Sequence, residues 1–413
     1  MKKIVLITIL LSTRVFSEIL LLENNIPLIY KKIEGIEVIS CGVLFRGGVA
    51  KYTEGMDGIE NFSLNALLEG TKSNPYPQLH KVMTKYGIQS KVITEHDFSV
   101  LILKSPSKNY KKVIEILFEI FSEPELKPDR VNSVKTNILL KLKRKEEDPD
   151  QKLFRLLNNV FYKNHPYIIE HDGKVETVSK FKIEDIKEFL KKNFKSGNII
   201  LGFIGPIEKD EVYKLLNEKF GKIEKSEDLK IEIKEFLPKD TFFHIVEKDF
   251  KTTYIASKFP LPEVTHSDYP ILLALSEILS TRLEEKIRTK EGLSYSVFAG
   301  LSLKKKNYGY FYVSSSLPDS AFKFILKEIE NLKKISVKRE EIIETFNIYK
   351  TLKYLQNSST DLALLNMLKS YILTEKENFL DDILHELTRV KPEEIKRCAN
   401  TYLKNFTIIR LGP

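Results

Sequence analysis

Apolar and polar positions along this chain of 413 residues fall into blocks, and the period of the blocks changes in a fixed order. Ile19–Leu22, Pro27–Tyr30 and Glu37–Phe45 are short β-rich runs bounded by Asn24-Asn25, Gly35 and Gly47-Gly48, which predicts strands and turns. Gly58–Leu68, Gln78–Tyr86, Tyr110–Phe121 and Lys127–Lys145 then carry apolar residues at spacings of three and four, with capping residues and proline near their starts. That spacing predicts helices. Strand-like Lys91–Thr94 and Phe98–Leu103 interrupt them. Helix Ile183–Asn193, strand Asn198–Ile204, a Gly205-Pro206 turn and helix Lys209–Phe220 close the first half.

The second half repeats the order. Strand-like Phe242–Val246 and Thr253–Phe259 precede helix Tyr269–Ile287, strands Leu293–Leu301 and Gly309–Ser315, and helices Asp319–Lys334, Lys338–Ser358 and Asp361–Tyr371. Helix Pro392–Leu403 and strand Phe406–Leu411 end it, and the run from Tyr402 to Gly412 mirrors that from Phe189 to Gly205: amphipathic helix, short turn, apolar strand, Gly-Pro. Two copies of one unit are the economical reading. Between them Lys222–Lys234 is charged and has no apolar period, which marks a boundary. The expected fold is therefore α+β, an α/β sandwich of two homologous domains, each an antiparallel-rich β-sheet covered by helices. The divisions are 18–221, a charged linker at 222–236, and 237–413.

Composition narrows the function classes. At 42% apolar and 30% charged, the chain has material for real cores and is not disordered. Its 66 Lys and Arg exceed 57 Asp and Glu by a thin margin, and Lys141–Lys145 is followed at once by Glu146-Glu147-Asp148. Such mixing argues against a nucleic-acid partner. Lys2-Lys3, the apolar run Ile4–Leu11 and the small residue near Phe16-Ser17 form a signal-peptide pattern over 1–17. The competing reading is a first β-strand. The pattern implies a periplasmic or secreted protein, and otherwise a cytoplasmic one. No other apolar run approaches the ~20 residues of a membrane span. Cys41 and Cys398, one near each end and outside any metal or redox motif, are expected to be buried free thiols.

The decisive phrase is Gly58-Ile-Glu-Asn-Phe-Ser-Leu-Asn-Ala-Leu-Leu-Glu-Gly-Thr71. It resembles the metal-binding helix of insulinase-like (pitrilysin-like) zinc peptidases of the half-length bacterial type, whose phrase carries His-x-x-Glu-His. The frame of Gly58, Phe62, Leu67, Gly70 and Thr71 matches; the chemistry does not. A helix presents two zinc ligands at four-residue spacing because both then face one side. Asn61 and Asn65 keep that spacing with amides, and Leu64 stands where the resemblance places the general-base Glu. A hydrocarbon cannot take a proton from water. The third ligand of the family, a Glu about 75 residues further on, falls at Leu140, Lys141 and Leu142. No metal is expected in this chain. His80, His96, His165 and His171 make no paired helical spacing, and His165 and His171 read as surface loop residues; Glu60 and Glu69 read as solvated helix charges.

The second half keeps something else. Thr281-Arg-Leu-Glu-Glu-Lys-Ile-Arg-Thr-Lys-Glu-Gly-Leu-Ser-Tyr295 resembles the family phrase that holds an Arg and a Tyr seven residues apart, matched by Arg288 and Tyr295. The resemblance implies that the Tyr hydroxyl stabilises a tetrahedral oxyanion and the Arg holds a substrate carbonyl, at a zinc site in another domain. Donors aimed at developing negative charge are a strong catalytic device. The plainer reading is a helix-end charge and a strand aromatic. Some of these peptidases are built from two half-length chains, one bearing zinc and one the Arg/Tyr pair. The expected function is the second kind: a non-catalytic subunit of a heterodimeric zinc endopeptidase, inactive alone, binding peptide beside a zinc-bearing homologous partner. The alternative is a peptide-binding or assembly scaffold with no catalytic role. A third reading, an active peptidase with unconventional ligands, would require zinc bound by this chain alone.

Overall fold

The computed structural model describes residues 17–233, 235, 238–246 and 250–413. The expected signal segment thus lies outside the described residues apart from Ser17, which is buried and donates to Asn378 Oδ1 at 2.6 Å.

The first half builds a six-stranded sheet from β1 (Glu18–Leu21), β2 (Pro27–Lys32), β3 (Val38–Arg46), β4 (Gln89–Thr94), β5 (Phe98–Pro106) and β6 (Ile199–Gly205). Their order is β1-β2-β6-β3-β5-β4, antiparallel except at β2–β6. Its helices are α1 (Ile59–Leu67), α2 (Gln78–Lys85), α3 (Tyr110–Ser122), α4 (Pro128–Glu147), α5 (Pro149–Phe161), α6 (Val175–Val178), α7 (Ile183–Asn193) and α8 (Lys209–Phe220). The second half forms a five-stranded sheet from β7 (Thr241–Val246), β8 (Thr253–Pro260), β9 (Ser296–Leu301), β10 (Tyr308–Ser315) and β11 (Thr407–Gly412). The order is β7-β11-β8-β10-β9, parallel only at β7–β11. Its helices are α9 (Tyr269–Leu283), α10 (Pro318–Lys334), α11 (Arg339–Gln356), α12 (Thr360–Thr374), α13 (Phe379–Leu387) and α14 (Pro392–Tyr402). The two halves are one α+β sandwich unit used twice, as the repeated pattern implies.

The central strands are apolar on both faces because both faces are covered. Every residue of β6 is buried, the behaviour of a strand enclosed between layers. On the inner face Phe45, Phe62, Phe121 and Phe189 knit the sheet to α1, α3 and α7. The outer face is covered by a helix from the other half: Leu364 and Leu368 of α12 pack on Ile200, Ile204 and Val100. The exchange is reciprocal, with Leu153 and Leu157 of α5 against Ala256, Ile409 and Leu411 of the second sheet. Gly202 permits the close approach of α12, since a Cβ there would sit 2.6 Å from Leu364 Cδ1.

Polar contacts complete the joint. Asp361 at the start of α12 meets Lys104 at 3.0 Å and Lys91 at 3.4 Å. The β9–β10 turn docks on the β4–β5 turn, where Lys304 Nζ lies 3.0 Å from Glu95 Oε2 and 2.7 Å from His96 Nδ1. Because Lys304 donates to Nδ1, the His96 proton sits on Nε2 and donates to the Tyr167 carbonyl at 2.9 Å.

Three helices escape the reading of apolar spacing, α5, the single turn α6 and α13. At the end of the charged stretch 141–148, Asp148 caps α5 by accepting from the backbone of Asp150 and Gln151, with Pro149 at its first position. The helix expected to reach Ile287 changes at Glu284 into a wider π-turn running to Lys290. Both cysteines are buried and free. Among the described residues no helix is long and apolar enough to cross a membrane.

Candidate functional site

Helix α1 opens from Gly58, whose φ of +83° suits glycine, and turns Phe62, Leu64 and Leu67 into the core. Leu64, at the base position, is completely buried. Asn61 and Asn65 emerge one turn apart on the neighbouring face, and each amide is consumed locally. Asn65 Nδ2 donates to the Asn61 carbonyl at 2.7 Å and to Asn61 Oδ1 at 2.9 Å. Asn61 Nδ2 donates to the backbone carbonyl of Asp172 at 3.1 Å. Lys145 of α4 reaches the Asp172 carboxylate as an ion pair, so the 170–174 loop is fastened to α1 and α4 together. Burial works against charge on Asp172, but hydrogen bonds and charge from His171 and Lys145 hold its carboxyl well below the usual range. On α4, Leu140 and Lys141 point to solvent and Leu142 is buried.

A divalent zinc ion needs imidazole, thiolate or carboxylate donors converging on one point. Two self-bonded amides, a buried hydrocarbon and the exposed Lys141 do not fit it, and among the described residues no three His, Cys, Asp or Glu side chains converge. Beside the loop lies a cavity of about 150 Å³, lined in part by His96, Lys145, Arg155, Glu170 and His171. Burial pushes the Glu170 carboxyl up, and its Oε1 has no hydrogen-bond partner.

Two readings from the sequence are corrected here. His165 is buried against Tyr162 and Tyr167 and caps the turn at Tyr167, whose N–H it accepts at 3.1 Å. Glu60 is fully buried rather than solvated, paired with Lys51 at 2.7 Å and accepting from Ser99. Its i+3 and i+4 neighbours on α1, Ser63 and Leu64, are fully buried as well. Glu69 pairs with Arg130 at 2.8 Å.

The second-half pair is built differently. Leu283 and Ile287 are both buried, and the π-turn between them sends Arg288 outward. Ser294 pins the following segment, donating to the carbonyls of Ser296 and Ser314 at 2.8 and 2.7 Å. Tyr295 is left 87% exposed. The Arg288 guanidinium lies 5.6 Å from the Tyr295 ring centroid and pairs with Glu284 at 2.6 Å, an exposed i,i+4 contact. The Tyr295 hydroxyl has no hydrogen-bond partner among the described residues. Arg282, from the same phrase, is instead structural: its guanidinium spans Glu341 and Glu328 at 2.7 Å each. The structure thus brings Arg288 to Tyr295 and Asn61 to Asn65; no hydrogen bond, ion pair or ring contact joins the two groups.

The comparison with known proteins decides the family. Residues 29–170 match the model for insulinase, peptidase family M16, and residues 180–349 match that for the peptidase M16 inactive domain. The chain belongs to the insulinase family. Over 400 residues it is 22% identical to the zinc protease PqqE of Helicobacter pylori, covering 93% of this chain and 89% of that one. The non-peptidase homolog YmxG of the same organism is 22% identical over 396 residues, covering 94% and 90%. A solved protease from Helicobacter pylori superposes with a TM-score of 0.87 at 20% identity, covering 97% of this chain and all of that one. This chain is a non-catalytic member of the half-length type, its metal helix rebuilt as a hydrogen-bonded joint.

Proposed function

We propose that this chain is the non-catalytic subunit of a two-chain insulinase-type zinc endopeptidase. It binds extended peptide and supplies Arg288 and Tyr295 to the zinc site of a homologous partner. The observation that carries this reading is Tyr295. An aromatic that exposed, with an unused hydroxyl and a guanidinium alongside, contributes little to its own fold. As a donor pair it suits a carbonyl oxygen on which charge develops. The 2.6 Å contact to Glu284 is half-exposed and weak, so a substrate carbonyl can compete for Arg288. Helicobacter pylori holds one relative named as a zinc protease and another named as a non-peptidase homolog, the pair of chains such an enzyme requires.

The partner brings the metal and the base; this chain brings orientation and hydrogen-bond donors. The apolar run at Ile4–Leu11 supports a periplasmic or secreted location, which N-terminal sequencing of the mature protein checks. The test of the function is reconstitution with the zinc-bearing half-length homologue from the same genome. Neither chain alone cleaves an unstructured peptide, and the mixture does. A mixture no more active than the partner alone returns the chain to the scaffold reading.

A further inference from the structure

The two sheets correspond strand for strand. β2, β6, β3, β5 and β4 of the first match β7, β11, β8, β10 and β9 of the second, with the same single parallel pair. The first sheet has one strand more: β1 runs antiparallel along the outer edge of β2, with Glu18 opposite Tyr30 and Leu21 opposite Pro27. Among the described residues nothing pairs with the outer edge of β7.

The burial follows that difference. Pro27–Tyr30 of β2 are all buried, whereas Phe242, Phe243 and Val246 of β7 are 53%, 44% and 57% exposed. The helices do reach β7. Phe242 contacts Phe322 of α10 at 6.3 Å, and Ile245 packs into the cluster formed by α5 on the opposite face. Both faces of β7 are half covered, so what the second half lacks, among the described residues, is a further strand in the plane of the sheet. β7 also carries neither the charge nor the proline that guards an isolated edge.

We propose that β7 pairs antiparallel with β7 of a second copy of this chain, joining two five-stranded sheets into one of ten. The first half shows that the slot takes an antiparallel strand of short apolar sequence, and Thr241–Val246 is itself such a strand. Residues facing each other across an antiparallel pair must share a face of the sheet. The register centred on Phe243 satisfies this, placing Phe243 opposite its own symmetry mate, Phe242 opposite His244 and Thr241 opposite Ile245. Aromatic and β-branched cross-strand pairs of this kind are favourable, and no like charges are opposed. A twofold contact uses the same edge of both chains and so closes at two copies. The inference is independent of the proposed function, because β9, which follows Tyr295, lies at the other edge of the sheet, four strands and roughly 19 Å away.

The test is the mass of the full chain, purified without any partner, by sedimentation velocity at micromolar concentration. The expected species is twice the 47.9 kDa chain. Phe243→Lys opposes two ammonium groups on the axis and gives monomer with unchanged circular dichroism. Phe243→Cys with a short bis-maleimide gives covalent dimer, while buried Cys41 and Cys398 do not react. The same substitution at Ile19, on β1, leaves the dimer intact. A monomeric wild-type chain, a dimer that survives Phe243→Lys, or a dimer that Phe243→Cys fails to cross-link overturns the proposal.

Discussion

The side-chain amide of Asn61 donates to the backbone carbonyl of Asp172 at 3.1 Å. That bond occupies the helical turn that presents metal ligands in zinc-bearing relatives, and Leu64 beneath it is sealed in the core. Reintroducing the acid is therefore costly. Leu64→Glu loses packing worth ~2–5 kcal/mol and buries a carboxyl with no partner. Urea denaturation should show it destabilised by at least as much as Leu64→Ala.

The exchange of α5 and α12 between the halves makes each half a structural part of the other. Gly202→Ala drives a methyl into Leu364 and is expected to cost about 1–3 kcal/mol by overpacking. Leu364→Ala in the same chain makes room for it. A double-mutant cycle should show the two losses to be less than additive, whereas strict additivity would mean that α12 does not contact β6 as described.

The docking of Lys304 on His96 gives the fold a proton linkage. Burial, followed by the charges of Lys304, His171 and Lys258, holds His96 well below the ordinary histidine range. With the folded pKa depressed, the unfolded chain takes up the proton first. Stability from this residue is thus complete above pH ~6.5 and falls by up to ~1.4 kcal/mol per pH unit below it. His96→Gln retains an acceptor for Lys304 and a donor for Tyr167. It should flatten the stability profile between about pH 5 and pH 7; an unchanged slope would assign the linkage elsewhere.

Two arginines six residues apart should behave oppositely. Arg282→Ala strips Glu328 and Glu341 of a partly buried partner and is expected to cost about 1–3 kcal/mol. Arg288→Ala removes only an exposed contact and should stay within about 0.5 kcal/mol of wild type. Thermal denaturation separates the two.

The pattern of apolar positions is enough to place eleven of the helices that surround these sheets only because their stripes are local. Ile183–Asn193 and Lys209–Phe220 match their helices residue for residue. Helix α5 carries a stripe of its own, Leu153, Leu157 and Phe161, behind the Asp148 cap and Pro149. The reciprocal covering of the sheets was illegible: an apolar stripe says that a helix is buried, and nothing in Leu364 or Leu153 says against which sheet. The spacing of Asn61, Leu64 and Asn65 is carried by a single helical turn and could be read directly, whereas Arg288 and Tyr295 are joined only by the phrase they share, because the chain leaves the π-turn at Lys290 before it reaches Tyr295. Burial of Glu60 and His165 depends on Lys51, Ser99 and Tyr162, which are distant or unpatterned in sequence.

The most direct measurement is kcat/KM for an unstructured peptide in the reconstituted two-chain enzyme, with Tyr295 or with Tyr295→Phe. Loss of an oxyanion donor corresponds to ~2.7–4 kcal/mol, about 100- to 1,000-fold. A fall of that size in kcat, with complex assembly and stability unchanged, is the result expected. Equal activity of the two complexes would contradict the assignment of Tyr295 to the partner's site.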